Sequence, residues 1–216
     1  KIMARNKVKD PNKLGFGRLL AFKSSYIVAA WINLIMLNYL SIYASVTLGV
    51  NLLTVSTLLL ASKAVDAVTD MVAGVIVDNT HTKLGKGRPY ELCIIGMTIC
   101  TILLFAGNPA WSNVVKCAWI FCMYTLTFSI FTTMRNAAMN PYTIRTFSNN
   151  PVLLKKVSSY GGIITMAGSI VMSTLFPVLM AKMATSAAGW TRMVTIIMIP
   201  ATVIGLGRFI FCKEDP

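Results

Sequence analysis

Acidic side chains are what this sequence has least of: seven Asp and Glu stand against 20 Lys and Arg in 216 residues, and only 12% of the chain is charged. A soluble domain of this size needs about twice that density to cover its surface, so an ordinary globular protein is excluded. Histidine is scarcer still. His81 stands alone, with no second His or Cys near it at ligand spacing, which argues against a zinc site. The five cysteines, at 93, 100, 117, 122 and 212, form no Cys-x-x-Cys and lie mostly in apolar runs, where a free thiol behaves as a small hydrophobe. Gly-x-Ser-x-Gly, a Walker-type Gly-Lys-Ser/Thr and His-Glu-x-x-His are all missing, so hydrolase and ATPase chemistry has no sequence support. Neither an enzyme nor a cofactor is expected.

What is present is apolar: 56% of the residues are hydrophobic and the mean hydropathy is +0.68. The pattern predicts an all-α integral membrane protein. Six spans are expected over 19–44, 52–77, 89–107, 114–139, 152–181 and 193–211. At about 1.5 Å per residue each can cross roughly 30 Å of hydrocarbon, the third only if its apolar stretch extends to Pro89 and Gly107. Short connections rich in Gly, Asn and Pro separate them, predicting one bundle over 19–212 without a soluble domain. A basic head over 1–18 resembles the first part of a signal peptide, but a cleaved signal does not precede five further spans. The chain opens on Lys1 and stops at Pro216, so trimmed ends are expected.

The formal charge of +13 would suggest nucleic acid in a soluble protein; here the cations sit between apolar segments, and no nucleic-acid partner is expected. Fourteen of the 20 Lys and Arg fall on one alternating side, at 1–18, 83–88, 145–156 and 208–213. Lys116, Lys182 and Arg192 fall on the other, and Lys23, Lys63 and Arg135 lie within spans. By the positive-inside rule both termini face the cytoplasm, and the plasma membrane is the expected home. Lys23, about one turn into the first span, is expected to snorkel to the inner headgroups.

The most informative stretch runs over 62–90. Lys63, Asp66 and Asp70 sit at i, i+3 and i+7, on one face of one helix, inside an otherwise lipid-compatible segment. Intramembrane carboxylates mark ion pathways, and two of them one turn apart suit Na⁺ or H⁺; Lys63 either competes for them or replaces the ion when it leaves. The alternative is a self-neutralising packing lock, as in a non-transporting six-helix scaffold or sensor. Arg135 lies about 15 Å along its helix from Arg145, and Asp70 about 12 Å from Asp78, so the two are expected at similar depth. Arg135 is then either a counter-ion in a neutral cluster with Lys63, Asp66 and Asp70, or a bidentate clamp for an anionic solute. Asp78, with Gly74 before it and Gly85, Lys86, Gly87, Arg88 and Pro89 after it, is read as a helix-end acid bonded to loop donors, or as a gate lock. Ser158, Gly161, Thr165 and Gly168 form a small-residue stripe for close packing, either within this bundle or against a second one.

The pattern Lys63-x-x-Asp66-Ala67-x-x-Asp70, Gly74-x-x-x-Asp78 and Gly85-Lys86-x-Arg88-Pro89-Tyr90, with Leu14-Gly15-Phe16-Gly17 ahead of the first span, resembles the glycoside/pentoside/hexuronide:cation symporters of the major facilitator superfamily. The resemblance covers all six spans. It implies the N-terminal bundle of a two-bundle fold with a central cavity, whose C-terminal six-helix half, from the same gene or a partner chain, lies outside this sequence. It implies Asp66, Asp70 and Thr132 as cation-site residues, with Thr69 at the place of an asparagine and Lys63 at that of a basic residue. The gate loop would involve Asp78, Gly85, Arg88 and Arg145. On the solute side the family's acids fall at Phe22 and Arg135 and its stacking Trp at Met139. A neutral galactoside is thus disfavoured, and a sugar derivative such as an anionic glycoside or uronide is expected, or a more amphipathic solute.

Overall fold

The computed structural model describes residues 14–214. The cations before Leu14, the greater part of the basic head, lie outside the described residues. Helix α1 spans Phe16–Ile42 and runs on through a π turn, Tyr43–Thr47. Gly49, at φ +69°, then reverses the chain, and the Asn51 side chain caps α2, Leu52–Asp78, by accepting from the Leu53 amide at 2.9 Å. A 3₁₀ turn, Arg88–Leu92, leads into α3, Cys93–Leu104. Next come α4, Asn113–Thr125, a π turn over Leu126–Thr132, and α5, Thr133–Thr146, which join into one rod of 34 residues. Asn150 caps α6, Pro151–Met183, where Pro151 at the first turn has no amide to leave unbonded. Ser186 caps α7, Ala187–Gly205, so this helix begins earlier than the expected Met193; α8, Gly207–Phe211, continues it.

Five of these rods are long and apolar enough to cross a membrane: Phe16–Thr47, Leu52–Asp78, Asn113–Thr146, Pro151–Met183 and Ala187–Phe211. The sixth expected segment is the shorter Arg88–Leu104 piece, whose first turn is 3₁₀.

Two apolar cores sit toward opposite ends of the bundle. One gathers rings just past the ends of α1 and α3 and near the start of α7, with Phe105 stacked on Trp190 at 5.6 Å and Tyr43 against both. The other packs Phe22, Tyr142, Phe147 and Val157. Two members of the α6 stripe are used inside the bundle: Trp31 of α1 donates to the Gly168 carbonyl at 2.9 Å, and a side chain at Gly161 would collide with Lys23, while Ser158 is exposed. By contrast α2 and α6 turn long apolar faces outward, including Met71, Val75, Met166 and Ile170. Such faces need lipid or protein against them.

Two cations counted among those flanking the membrane prove buried. Lys116 donates to the Leu48 carbonyl at 2.7 Å, satisfying a helix-end acceptor, and Arg208 is fully buried. Lys23 does not snorkel: it is buried, with its ammonium 4.2 Å from the Tyr26 ring centroid, because α6 closes over it at Gly161.

Candidate functional site

The site grows from a seam between α2 and the fourth rod, two parallel helices in register. Thr125 donates to Ser62 at 3.1 Å, the Ser129 hydroxyl to Asp66 Oδ1, and the Thr133 hydroxyl to Asp70 Oδ1 at 2.9 Å. On α2 the three positions recur every fourth residue and so share a face. Their partners recur every fourth residue as well, and the π turn over Leu126–Thr132 supports this, since its looser i→i+5 winding keeps residues four apart closer to one face than an α-helix does. The turn is held by Thr132, whose hydroxyl donates to the Thr127 carbonyl five residues back at 2.7 Å, and by Thr133, whose single hydroxyl proton is shared between Asp70 and the Phe128 carbonyl at 3.2 Å.

Lys63 completes the site. Its ammonium lies 2.7 Å from Asp66 Oδ2 and over the Phe128 ring at 5.1 Å. Asp66 is thus bonded on both oxygens, by Ser129 and Lys63, while Asp70 accepts only from Thr133 among the described residues. Lys63, Asp66 and Asp70 together carry one net negative charge. They open on a cavity of about 320 Å³ with Asn33, Leu37, Phe128, Thr132, Thr133 and Asn136. Of the residues expected here, Asp66, Asp70, Lys63 and Thr132 come together. Thr69 lies off the cavity, its hydroxyl donating to the Val65 and Asp66 carbonyls of its own helix. Ser129 and Thr133 were not singled out by sequence, although Ser62-Asp66-Asp70 and Thr125-Ser129-Thr133 share one four-residue spacing that signals the ladder.

Arg135 is a correction. It does not join Asp66 and Asp70; it is buried at 2% exposure, donating to Ser25 at 2.9 Å, with its Nε 3.7 Å from Glu91. Ser25 donates to the same Glu91 carboxylate at 2.6 Å, and Arg208 donates to its other oxygen at 2.6 Å. Four chain segments are thereby tied through one acid, Glu91. Phe22 and Met139 also depart from the expected solute face. Phe22 is fully buried beneath the Arg208 guanidinium, 4.2 Å from it, and Met139, half-buried, does not line the cavity.

The loop after α2 forms a second polar cluster. Asp78 meets Lys86 at 3.2 Å while staying largely exposed. The Glu214 carboxylate accepts from the amides of Lys86, Gly87 and Arg88 at 2.8, 2.7 and 2.5 Å, an acid bound by successive backbone donors. Gly85 has φ +110°, and a side chain there would strike Glu214. Arg88 donates twice to the Phe209 carbonyl, and Arg145 lines the same concavity of about 660 Å³. Nearby, burial pushes the Cys212 thiol up from its ordinary value. Among the described residues no three His, Cys, Asp or Glu side chains gather in a way that would hold a metal ion.

Against known proteins, the family described as "MFS/sugar transport protein" matches residues 22–215. The chain is 29% identical over 188 residues to the isoprimeverose transporter of Lactiplantibacillus pentosus, an alignment covering 82% of this chain and 37% of that protein. It is 25% identical over 183 residues to the uncharacterized symporter YnaJ of Bacillus subtilis (strain 168), covering 82% of this chain and 38% of that one. The chain therefore spans well under half the length of these curated relatives.

Proposed function

Because this chain belongs to the MFS/sugar transport protein family, we propose that it is the N-terminal six-span half of a cation-coupled secondary transporter, carrying a sugar-like solute across the plasma membrane by alternating access. In this reading Arg88–Leu104 is the third crossing element, both termini face the cytoplasm, and a C-terminal bundle covers the outward faces of α2 and α6. The observation that carries it is the pair Asp66 and Asp70, which together with Lys63 hold one formal net negative charge at mid-helix, beside a cavity and bonded by hydroxyls. Hard carboxylate and hydroxyl oxygens suit Na⁺ or H⁺ as the coupling ion.

The names of the two relatives, a sugar transporter and a symporter, support the same class of solute and mechanism. With Arg135 committed to Glu91, it lends no support to an anionic solute. Neutral and charged sugar derivatives therefore belong in one panel. The test is uptake by the full-length protein in proteoliposomes against neutral sugars, uronides and amphipaths, with Na⁺ and pH varied independently. Ion-dependent uptake of at least one sugar-like solute is expected, and its loss in Asp66→Asn and Asp70→Asn. Unchanged ion dependence in both variants would contradict the proposal.

A further inference from the structure

The two carboxylates of α2 are not equivalent, and the difference lies in Lys63. Asp66 has both oxygens engaged, one by the Ser129 hydroxyl and one by the Lys63 ammonium at 2.7 Å. Asp70, one turn further on, has one hydroxyl donor and faces the cavity. The ammonium therefore neutralises one acid and leaves the other, and the group as a whole can take up one monovalent charge. Lys63 is also not confined as a structural ion pair would be. Its side chain lines the cavity on a flexible four-carbon stem, and its ammonium already lies within cation–π range of Phe128 at 5.1 Å and Tyr124 at 5.9 Å. These rings offer the ammonium a place to rest when it is not on Asp66.

We propose that Lys63 is a tethered cation that competes with the mobile monovalent ion for Asp66, so that the ion settles first at Asp70 and gains Asp66 only as the ammonium moves onto the Phe128 and Tyr124 rings. This inference rests on the cation-site reading above. Its consequence is that Lys63 weakens ion binding: if the ammonium holds Asp66 about nine-tenths of the time, the apparent affinity falls about tenfold. A lysine that merely locks α2 in place has the opposite effect, since removing it disorders the acids and weakens binding. Ser129 acts as a positioning residue here, holding Asp66 Oδ1 so that Oδ2 is the oxygen under competition.

The experiment titrates purified full-length protein with Na⁺ and Li⁺ against a choline background, reading melting temperature and calorimetric Kd. Lys63→Met, or Lys63→Gln where Met gives no monodisperse protein, is expected to bind one of these ions about tenfold or more tightly than wild type. Added ion should then restore any melting temperature lost by the substitution. Lys63→Arg, which keeps a tethered charge, should stay within about threefold of wild type. Wild-type or weaker affinity in the uncharged variant overturns the competition, as does indifference of both proteins to Na⁺ and Li⁺. Asp70→Asn separates the two proposals. If it abolishes ion binding while Lys63→Met matches wild type, only the competition fails; if Asp70→Asn binds as wild type does, the cation site itself is refuted.

Discussion

Glu91 is the residue on which the buried charge of this bundle balances. At 3% exposure it faces Arg135 and Arg208, both also buried, and its removal would leave two guanidinium groups in a low-dielectric interior without a carboxylate. Breaking such a group costs roughly 3–5 kcal/mol. Glu91→Ala is therefore expected to lower the melting temperature steeply or abolish monodisperse yield, and an unchanged melting temperature would contradict the role given to it. Arg135→Gln, for the same reason, is expected to lower thermal stability; a change confined to solute affinity with stability intact would restore the clamp. The contrast between these residues shows what a sequence reveals. Lys63, Asp66 and Asp70 were legible as one face because i, i+3 and i+7 spacing fixes azimuth within a single helix. Arg135 was placed correctly along its helix but on the wrong side, because depth along an axis says nothing of which neighbour a side chain turns toward. Glu91 and Arg208 sit at the ends of apolar runs, where spacing along one helix does not show that the fold brings them together and buries them.

At the scale of elements, the π turn over Leu126–Thr132 was invisible beforehand: Leu-Thr-Phe-Ser-Ile-Phe-Thr contains neither Gly nor Pro and would suit an ordinary helix. It matters because it sits where α5 begins and Thr133 reaches Asp70. Hydrogen bonds to charged groups are worth about 1.5–3 kcal/mol, so Thr133→Val, which keeps the side-chain shape and removes the donor, is expected to weaken ion binding by about tenfold or more. Calorimetric titration checks this, and undiminished affinity would show that the ladder is only a packing seam. The α1–α6 contact was half legible. Small residues at 158, 161, 165 and 168 announced close approach but not the partner, and the structure brings α1 against Gly161 and Gly168. At Gly168 an added Cβ would come within 2.9 Å of Ile27, so Gly168→Val is expected to cost about 1–3 kcal/mol of stability by overpacking. Thermal unfolding in detergent reads it, and a neutral result would mean that α1 and α6 can part there without loss.

For the molecule as a whole, hydropathy made the all-α membrane class plain, since runs of this length and apolarity have few other uses. Arg88–Leu104 stayed marginal in sequence and is marginal in length in the structure, where five other rods meet the demands of a full crossing. The outward apolar faces of α2 and α6 and the alignment to little more than a third of each relative both fit a bundle that works against a second one. Alternating access driven by the acids of α2 is the central claim, and solute accumulation against a gradient tests it most directly. Full-length protein in proteoliposomes, given an inward Na⁺ or proton gradient and equal solute on both sides, should concentrate the solute inside. Asp70→Asn should retain solute exchange but lose that accumulation. Accumulation by Asp70→Asn equal to wild type would contradict the account.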